Sequence, residues 1–196
     1  MIELLGKSLE ELQSIFKTHN IQKFRAKQLI DYIYHRYIFD FEEMTQFPKE
    51  LRQWLSDNCV ISLPTLITES VSPDGKTRKI LVEMTDQSRV EAVLMEQHYG
   101  YSVCVSSQVG CAMGCVFCAS TQGGLYRDLT VSEIIGQVVI FGALTKEQIH
   151  SVVVMGAGEP LQNYDNVLQA LQLLHEPVIC NISYRKMTIS TCGWVP

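Results

Sequence analysis

The sequence predicts an α/β protein: a small helical region, a short β region, then strand–loop–helix repeats that build a parallel sheet or barrel. Three observations carry this. Apolar residues recur at helical spacing up to about residue 60, period-two strands separated by turn-like tetrapeptides run from about 64 to 106, and strands then alternate with helices. The corresponding domain boundaries are 1–60, 61–100 and 101–196.

Composition sets the bounds. The chain has 196 residues, 46% hydrophobic and 19% charged, ample for a packed core. The opening "MIELLGKSLEELQ" lacks the basic start and apolar run of a signal peptide. The longest apolar stretches, Val138–Leu144 and Val152–Met155, fall far short of the roughly 18 residues of a membrane span. A soluble, cytoplasmic protein is expected. The net charge of −5 argues against an autonomous, strongly basic nucleic-acid binder. The two small basic groups, Lys23, Arg25 and Lys27 and then Lys76, Arg78 and Lys79, read as solvated surface.

In the helical region, Ser8 and Glu11 form a capping box that opens "SLEELQSIF". "RAKQLIDYIYHRY" predicts a second helix over 25–37, with Leu29, Ile30, Ile33, Tyr34 and Tyr37 on one face. Pro48 starts a third at the first-turn position that proline tolerates. The strands "LITESV", "TRKILVEM", "RVEAVLME" and "YSVCVSS" follow, separated by "SPDG", "TDQS" and "QHYG". Alternation in the third puts Arg89, Glu91, Val93 and Met95 on one face, so Glu91 shares its side with apolar neighbours. Thr130 and Glu133 form a second capping box; then come "HSVVVMG", a helix over 163–174 and "KMTIST". "YSVCVSS", "HSVVVMG" and "KMTIST" are the expected parallel strands. In such folds chemistry sits in the loops at the strands' carboxyl ends, which sets the loop after the first strand beside "GAGEP".

That first loop holds the clearest chemical signal. "GCAMGCVFCAS" spaces Cys111, Cys115 and Cys118 as C-x3-C-x2-C. Seven cysteines without a secretory signal read as metal ligands or catalysts where clustered, and Cys59, Cys180 and Cys192 read as small apolar side chains. Three thiolates can hold three irons of a [4Fe–4S] cube and leave the fourth iron open, as a reacting metal centre requires. Gly110 and Gly114 let the loop curl, and Phe117 is placed to shield the cluster from water. The competing reading is zinc completed by a distant cysteine or histidine, although zinc loops more often carry two C-x2-C pairs.

C-x3-C-x-aromatic-C after a first parallel strand resembles the radical S-adenosylmethionine (SAM) superfamily. "CVSSQVGCAMGCVFCAS", "LTVSEIIGQVV", "VVVMGAGEPLQNYDNV" and "MTISTCGWVP" look like the RlmN/Cfr adenine methyltransferases, and "FRAKQLIDYIY" looks like that family's N-terminal helical domain. The resemblance implies an incomplete radical SAM (βα) barrel, with its first three strands present. It implies a [4Fe–4S] cluster on Cys111, Cys115 and Cys118, with SAM bound at the open iron and cleaved to a 5′-deoxyadenosyl radical by one electron. Gly158, Glu159 and Ser190 match SAM-binding positions, the Glu159 carboxylate accepting from the methionine ammonium. Glu91 matches the proton acceptor that restores the adenine ring. Cys104 matches a cysteine that resolves the covalent enzyme–RNA intermediate, although as a strand residue it reads equally well as core.

The implied substrate is an adenine of 23S ribosomal RNA, modified at C2 or C8, and in RlmN members also an adenine of some transfer RNAs. The implied electron donor is a flavodoxin or ferredoxin. Family members continue past "TCGWVP" through three more strands to a methyl-carrying cysteine, so these residues correspond to the N-terminal half and are not expected to complete the two-SAM reaction alone. Two rival readings are a non-catalytic RNA- or partner-binding remnant and a zinc-stabilised structural protein.

Overall fold

The computed structural model describes residues 1–194. A two-residue strand β1 (Ile2–Glu3) precedes α1 (Leu9–Thr18). The Ser8 hydroxyl accepts from the Glu11 N–H at 3.2 Å and the Glu11 carboxylate accepts from the Ser8 N–H at 2.8 Å, so the expected capping box starts α1. The helix lays Leu12 and Phe16 into the core.

The second helix departs from expectation. It runs as α2 (Phe24–Ile30) and then widens into a π-helical turn over Asp31–His35, ending at Tyr37 with φ of 54°. Three consecutive residues of an α-helix fan out over about 200° and cannot all face one core. The wider turn lets Tyr32, Ile33 and Tyr34 be 1%, 0% and 3% exposed. Both buried phenols are satisfied: Tyr32 accepts from the Gln46 N–H at 2.8 Å and Tyr34 from the Gly6 N–H at 3.1 Å. Helix α3 (Lys49–Asn58) begins just after Pro48, and β2 (Cys59–Val60) pairs in parallel with β1, burying Cys59 as expected.

Strands β3 (Thr65–Val71), β4 (Thr77–Glu83), β5 (Arg89–Gln97) and β6 (Gly100–Val105) form an antiparallel meander. A two-stranded ribbon follows, β7 (Gln108–Gly110) against β8 (Leu125–Asp128), with the cysteine loop at its tip. Then come α4 (Val131–Thr145), β9 (Ile149–Val154), α5 (Tyr164–His175) and β10 (Met187–Ile189). The main sheet has the order β10-β9-β6-β5-β4-β3, with β6, β9 and β10 mutually parallel. The three strands expected to be parallel are thus neighbours, and the meander continues the same sheet.

Its two faces differ. Ile80, Val82, Val90, Ala92, Leu94, Val103, Val105, Val152 and Val154 are buried on one side, beneath a core shared with α4, α5 and the N-terminal helices. The register sets Lys79 and Leu81, Glu91 and Val93, Cys104 and Val153 side by side on the other. That second face is open.

Candidate active site at the strand ends

Because β6, β9 and β10 run parallel, their carboxyl ends share one edge of the sheet, and three loops leave there. Short bonds stitch them together. The N–H of Gly156 donates to Val105 at 3.0 Å, and that of Ser190 to Val154 at 3.2 Å. The Ala157 carbonyl accepts from Ser107 and Gln108 at 2.8 and 3.1 Å. The Ser106 hydroxyl donates to the Glu91 carbonyl at 2.7 Å and accepts from the Ala157 N–H at 2.9 Å. Gly158 sits at φ +110°, where a Cβ would lie 2.8 Å from the Gln108 backbone nitrogen; no other residue fits that approach.

The cysteine loop curls as its glycines predict, Gly110 and Gly114 having φ of +77° and +68°. The Thr121 hydroxyl accepts from the Gly114 N–H at 2.8 Å and donates to the Cys111 carbonyl at 3.1 Å. Cys111 is buried, while Cys115 and Cys118 are partly exposed. Val116 and Phe117 are 102% and 89% exposed, because the loop projects from the ribbon with no described residue folded over its tip.

The root of the ribbon is fixed. Arg127 makes bidentate contacts with Asp86 at 2.7 and 2.9 Å and with Glu133 at 2.8 Å to each oxygen, and also bonds Ser88 at 2.9 Å. Hydrogen bonds from Arg127, then from Ser88, hold the Asp86 carboxyl well below the usual carboxylate range. Asn163 donates to the carbonyls of Ser107 and Leu129 at 2.8 and 2.7 Å. Gln137 closes a two-bond amide clasp on the Ser106 backbone, at 2.8 and 3.1 Å.

A concavity of about 620 Å³ opens on the uncovered sheet face, and Glu91, Cys104, Gly110, Cys118 and Ala157 all line it. Glu91 is exposed, its carboxylate 2.9 Å from the Lys79 ammonium. Burial pushes the Cys104 thiol up, against a weaker opposing hydrogen bond from the Met155 backbone. Cys104 is therefore a half-buried thiol that lines the concavity, its ionisation opposed by burial.

The other flagged residues sit on adjoining loops. Glu159 is only 3% exposed, and its carboxylate accepts from the Thr191 hydroxyl at 2.6 Å and from the N–H groups of Cys192 and Leu161 at 2.8 and 3.0 Å. Burial works against the charge, but these bonds outweigh it and hold the carboxyl below its ordinary range. Ser190 is exposed just past β10. The apolar reading of Cys192 is corrected: the residue is exposed, with its Sγ 3.2 Å from the Met113 thioether of the cysteine loop, because the chain after β10 turns outward once Glu159 has caught its backbone. Cys180 does behave as a shielded thiol, pushed up to about 12 by burial.

The donor set fits an iron–sulfur cluster. Three thiols share one curled loop, whereas four ligands on one zinc would have to converge to sulfur–sulfur spacings of about 4 Å. Among the described residues no group of three or more Cys, His, Asp or Glu side chains is already arranged to hold a metal ion. The case for a cluster is the chemistry of the donors, three thiols on one loop.

Comparison with known proteins agrees with this geometry. Residues 2–61 match the family of the ribosomal RNA large subunit methyltransferase N-terminal domain, and residues 105–196 match the radical SAM superfamily. The chain is 46% identical over 196 residues to a probable dual-specificity RNA methyltransferase RlmN of Clostridium perfringens, covering all of this chain and 56% of that protein. Along its whole length it is similar to RlmN-family proteins. The Symbiobacterium thermophilum RlmN relative is 48% identical over 195 residues, 98% of this chain and 53% of its own length. A crystal structure of a radical SAM methyltransferase from Sphaerobacter thermophilus superposes with a TM-score of 0.93 at 36% identity, over 100% of this chain and 58% of that one. The chain thus spans about half the length of the RlmN relatives it matches. No described helix is long and apolar enough to cross a membrane.

Sequence reasoning missed the polar residues that assemble the site: Ser106, Gln108, Arg127, Gln137 and Thr191. Ser106 and Thr191 stand in loops and Gln108 and Arg127 in the short ribbon strands, where polar side chains are commonplace, while Gln137 is a buried amide inside α4. The only available signal was "SSQ" closing a strand, a polar run where a buried strand should still be apolar.

Proposed function

We propose that this chain forms the helical region and the cluster- and SAM-binding part of a radical SAM RNA methyltransferase acting on an adenine. The observation that carries the reading is the single concavity lined by Glu91, Cys104 and Cys118 together, three residues drawn from two strands and the cysteine loop. A general base, a thiol and a cluster ligand facing one space suit a reaction that builds a covalent adduct and then resolves it.

In this reading Cys111, Cys115 and Cys118 hold the cluster, which when bound supplies the electron that cleaves SAM. Gly158 lets the Glu159 loop come close to the ribbon, and Ser190 adds a contact from the neighbouring strand end. Glu159 already accepts three hydrogen bonds, which leaves its carboxylate about one of four acceptor positions for the methionine ammonium. Glu91, held by nothing stronger than Lys79, takes the proton from the adenine ring. Cys104 resolves the adduct after losing its proton to a base, because the thiol is not ionised at rest. The proposed substrates are 23S ribosomal RNA and transfer RNA, and the cluster would be reduced by a flavodoxin- or ferredoxin-like donor in the cytoplasm. The strands from 101 onward are proposed as the first part of the barrel, with 1–60 and 61–100 as accessory regions.

Anaerobic reconstitution with iron and sulfide tests the reading. The chain should take up one oxygen-labile [4Fe–4S] cluster by absorbance and electron paramagnetic resonance, lost in Cys115→Ala and kept in Cys180→Ala. Full zinc occupancy with no iron–sulfur signal would sink it.

A further inference from the structure

Gln108 is fully buried and uses both ends of its amide. Its Nε2 donates to the Asp128 carboxylate at 2.7 Å, directly across the ribbon, and reaches Gln162 Oε1 at 3.5 Å. Its Oε1 accepts from the Glu159 N–H at 2.8 Å. The amide orientation is forced, because the reverse would set an oxygen against a carboxylate and an NH2 against an N–H. From Glu159 the chain of bonds continues through the carboxylate to Thr191 and Cys192. One hydrogen-bonded path therefore runs from the ribbon carrying the cysteines, through the loop after β9, to the loop after β10.

We infer that Gln108 is a positioning residue: it sets the cysteine ribbon against the Glu159 loop, so that the group held by the cysteines and the group held by Glu159 keep a fixed spacing. The inference rests on the functional reading above but concerns a residue that reading does not use. Arg127 and Asn163 anchor the ribbon to the turn before β5, to α4 and to the backbone around it. Gln108 alone among the buried side chains joins Asp128 of the ribbon to the backbone of Glu159. Its loss leaves the buried Glu159 N–H without its acceptor and the Asp128 carboxylate without its cross-ribbon donor, so the two segments are held only by the Ala157 and Asn163 bonds and loosen together.

The test is a polarity swap. Gln108→Glu keeps an acceptor for the Glu159 N–H but opposes two carboxylates across the ribbon. Adding Asp128→Asn restores a donor–acceptor pair with its direction reversed. Two readouts are taken on the 196-residue chain. The first is amide hydrogen exchange without any cluster. Gln108→Glu should raise exchange about tenfold in both 109–128 and 157–162, leave the β3–β4 hairpin unchanged, and be restored by the second substitution. The second is the rate at which an iron chelator strips the reconstituted cluster, which should rise about tenfold in Gln108→Glu and fall back in the double variant.

A change confined to the ribbon, or a folded double variant that restores neither segment, overturns the coupling. Chelator loss at the unaltered rate overturns its relevance to the cluster. If the unaltered chain takes up no cluster, the functional reading falls, while the exchange result still decides the coupling. If Gln108→Glu fails to fold, the double variant carries the test, since it must fold and recover both rates.

Discussion

The open sheet face around Glu91 and the loop network around Glu159 differ in nearly every physical respect. Glu91 is exposed on a flat strand, with one ammonium neighbour and a concavity before it. Glu159 is buried at a strand end and answers three donors from two segments. A carboxylate that has few bonds to break can exchange a proton with a substrate. One that closes three bonds between loops serves first to hold them. On the proposed reading the two glutamates flagged by the family resemblance divide the labour, one reacting and the other organising.

The largest expected effect comes from breaking the organising one. Glu159→Ala leaves the Thr191 hydroxyl and two N–H groups without their acceptor, and should destabilise the fold by about 2–3 kcal/mol. The sign of the pH dependence follows from the lowered carboxyl. The folded protein takes up this proton later than the unfolded chain. The stabilisation is then full above the ordinary carboxylate value of about 4.3 and is lost as the pH falls through the folded value beneath it. Chemical denaturation of the wild type and of Glu159→Gln should show a gap that is constant near neutrality and closes below about pH 4. A gap that widens on acidification would show that the carboxylate is not the stabilised form.

A second, smaller effect sharpens the contrast at the ribbon. Arg127→Met removes two bidentate contacts, but the Asp86 side chain it releases is 39% exposed and regains water. Glu133, whose side chain is 12% exposed, keeps its bonds to the Thr130 backbone and hydroxyl at 2.8 and 3.1 Å. A loss of about 1–2 kcal/mol is expected, read by thermal melting, together with an acid limb shifted upward because Asp86 loses its charge partner. An unchanged melting temperature would mean that the ribbon root is held without this arginine.

What the sequence conveyed, and what it withheld, follows the range of each interaction. Ser8 with Glu11 and Thr130 with Glu133 are local three-residue signals, and both capping boxes form. Strand alternation placed Glu91 on a face with Val93, and the register, which preserves parity across a sheet, carries that face on to Cys104. The π turn at Asp31–His35 was hidden because it answers to a packing demand on three consecutive residues, which periodicity alone reads as one continuous helix. Gln108 and Arg127 were hidden because, Glu133 apart, their side-chain partners lie 20 to 54 positions away, and local polarity says nothing about such distances. Cys192 was misread for the same reason: its exposure depends on the path of a loop, which spacing does not encode.

The smallest effect on the fold should come from Glu91→Gln. Its one ion pair joins two exposed side chains on a strand, a kind of contact worth at most a few tenths of a kcal/mol after screening, so melting should shift by no more than about 0.5 kcal/mol in stability. Cluster uptake should be unaffected, because the Ser106 hydroxyl grips the Glu91 backbone carbonyl and not its carboxylate. In a full-length RlmN-family protein carrying these residues, SAM cleavage should persist while methylated adenine disappears from nucleoside digests read by mass spectrometry. Lys79→Met separates the two readings of this carboxylate. If Glu91 reacts, removing its neighbour should shift the pH profile of methylation and spare the product; if Glu91 only holds Lys79 in place, the two variants should behave alike. Methylation at the wild-type rate in Glu91→Gln would erase the division between the reacting and the organising glutamate.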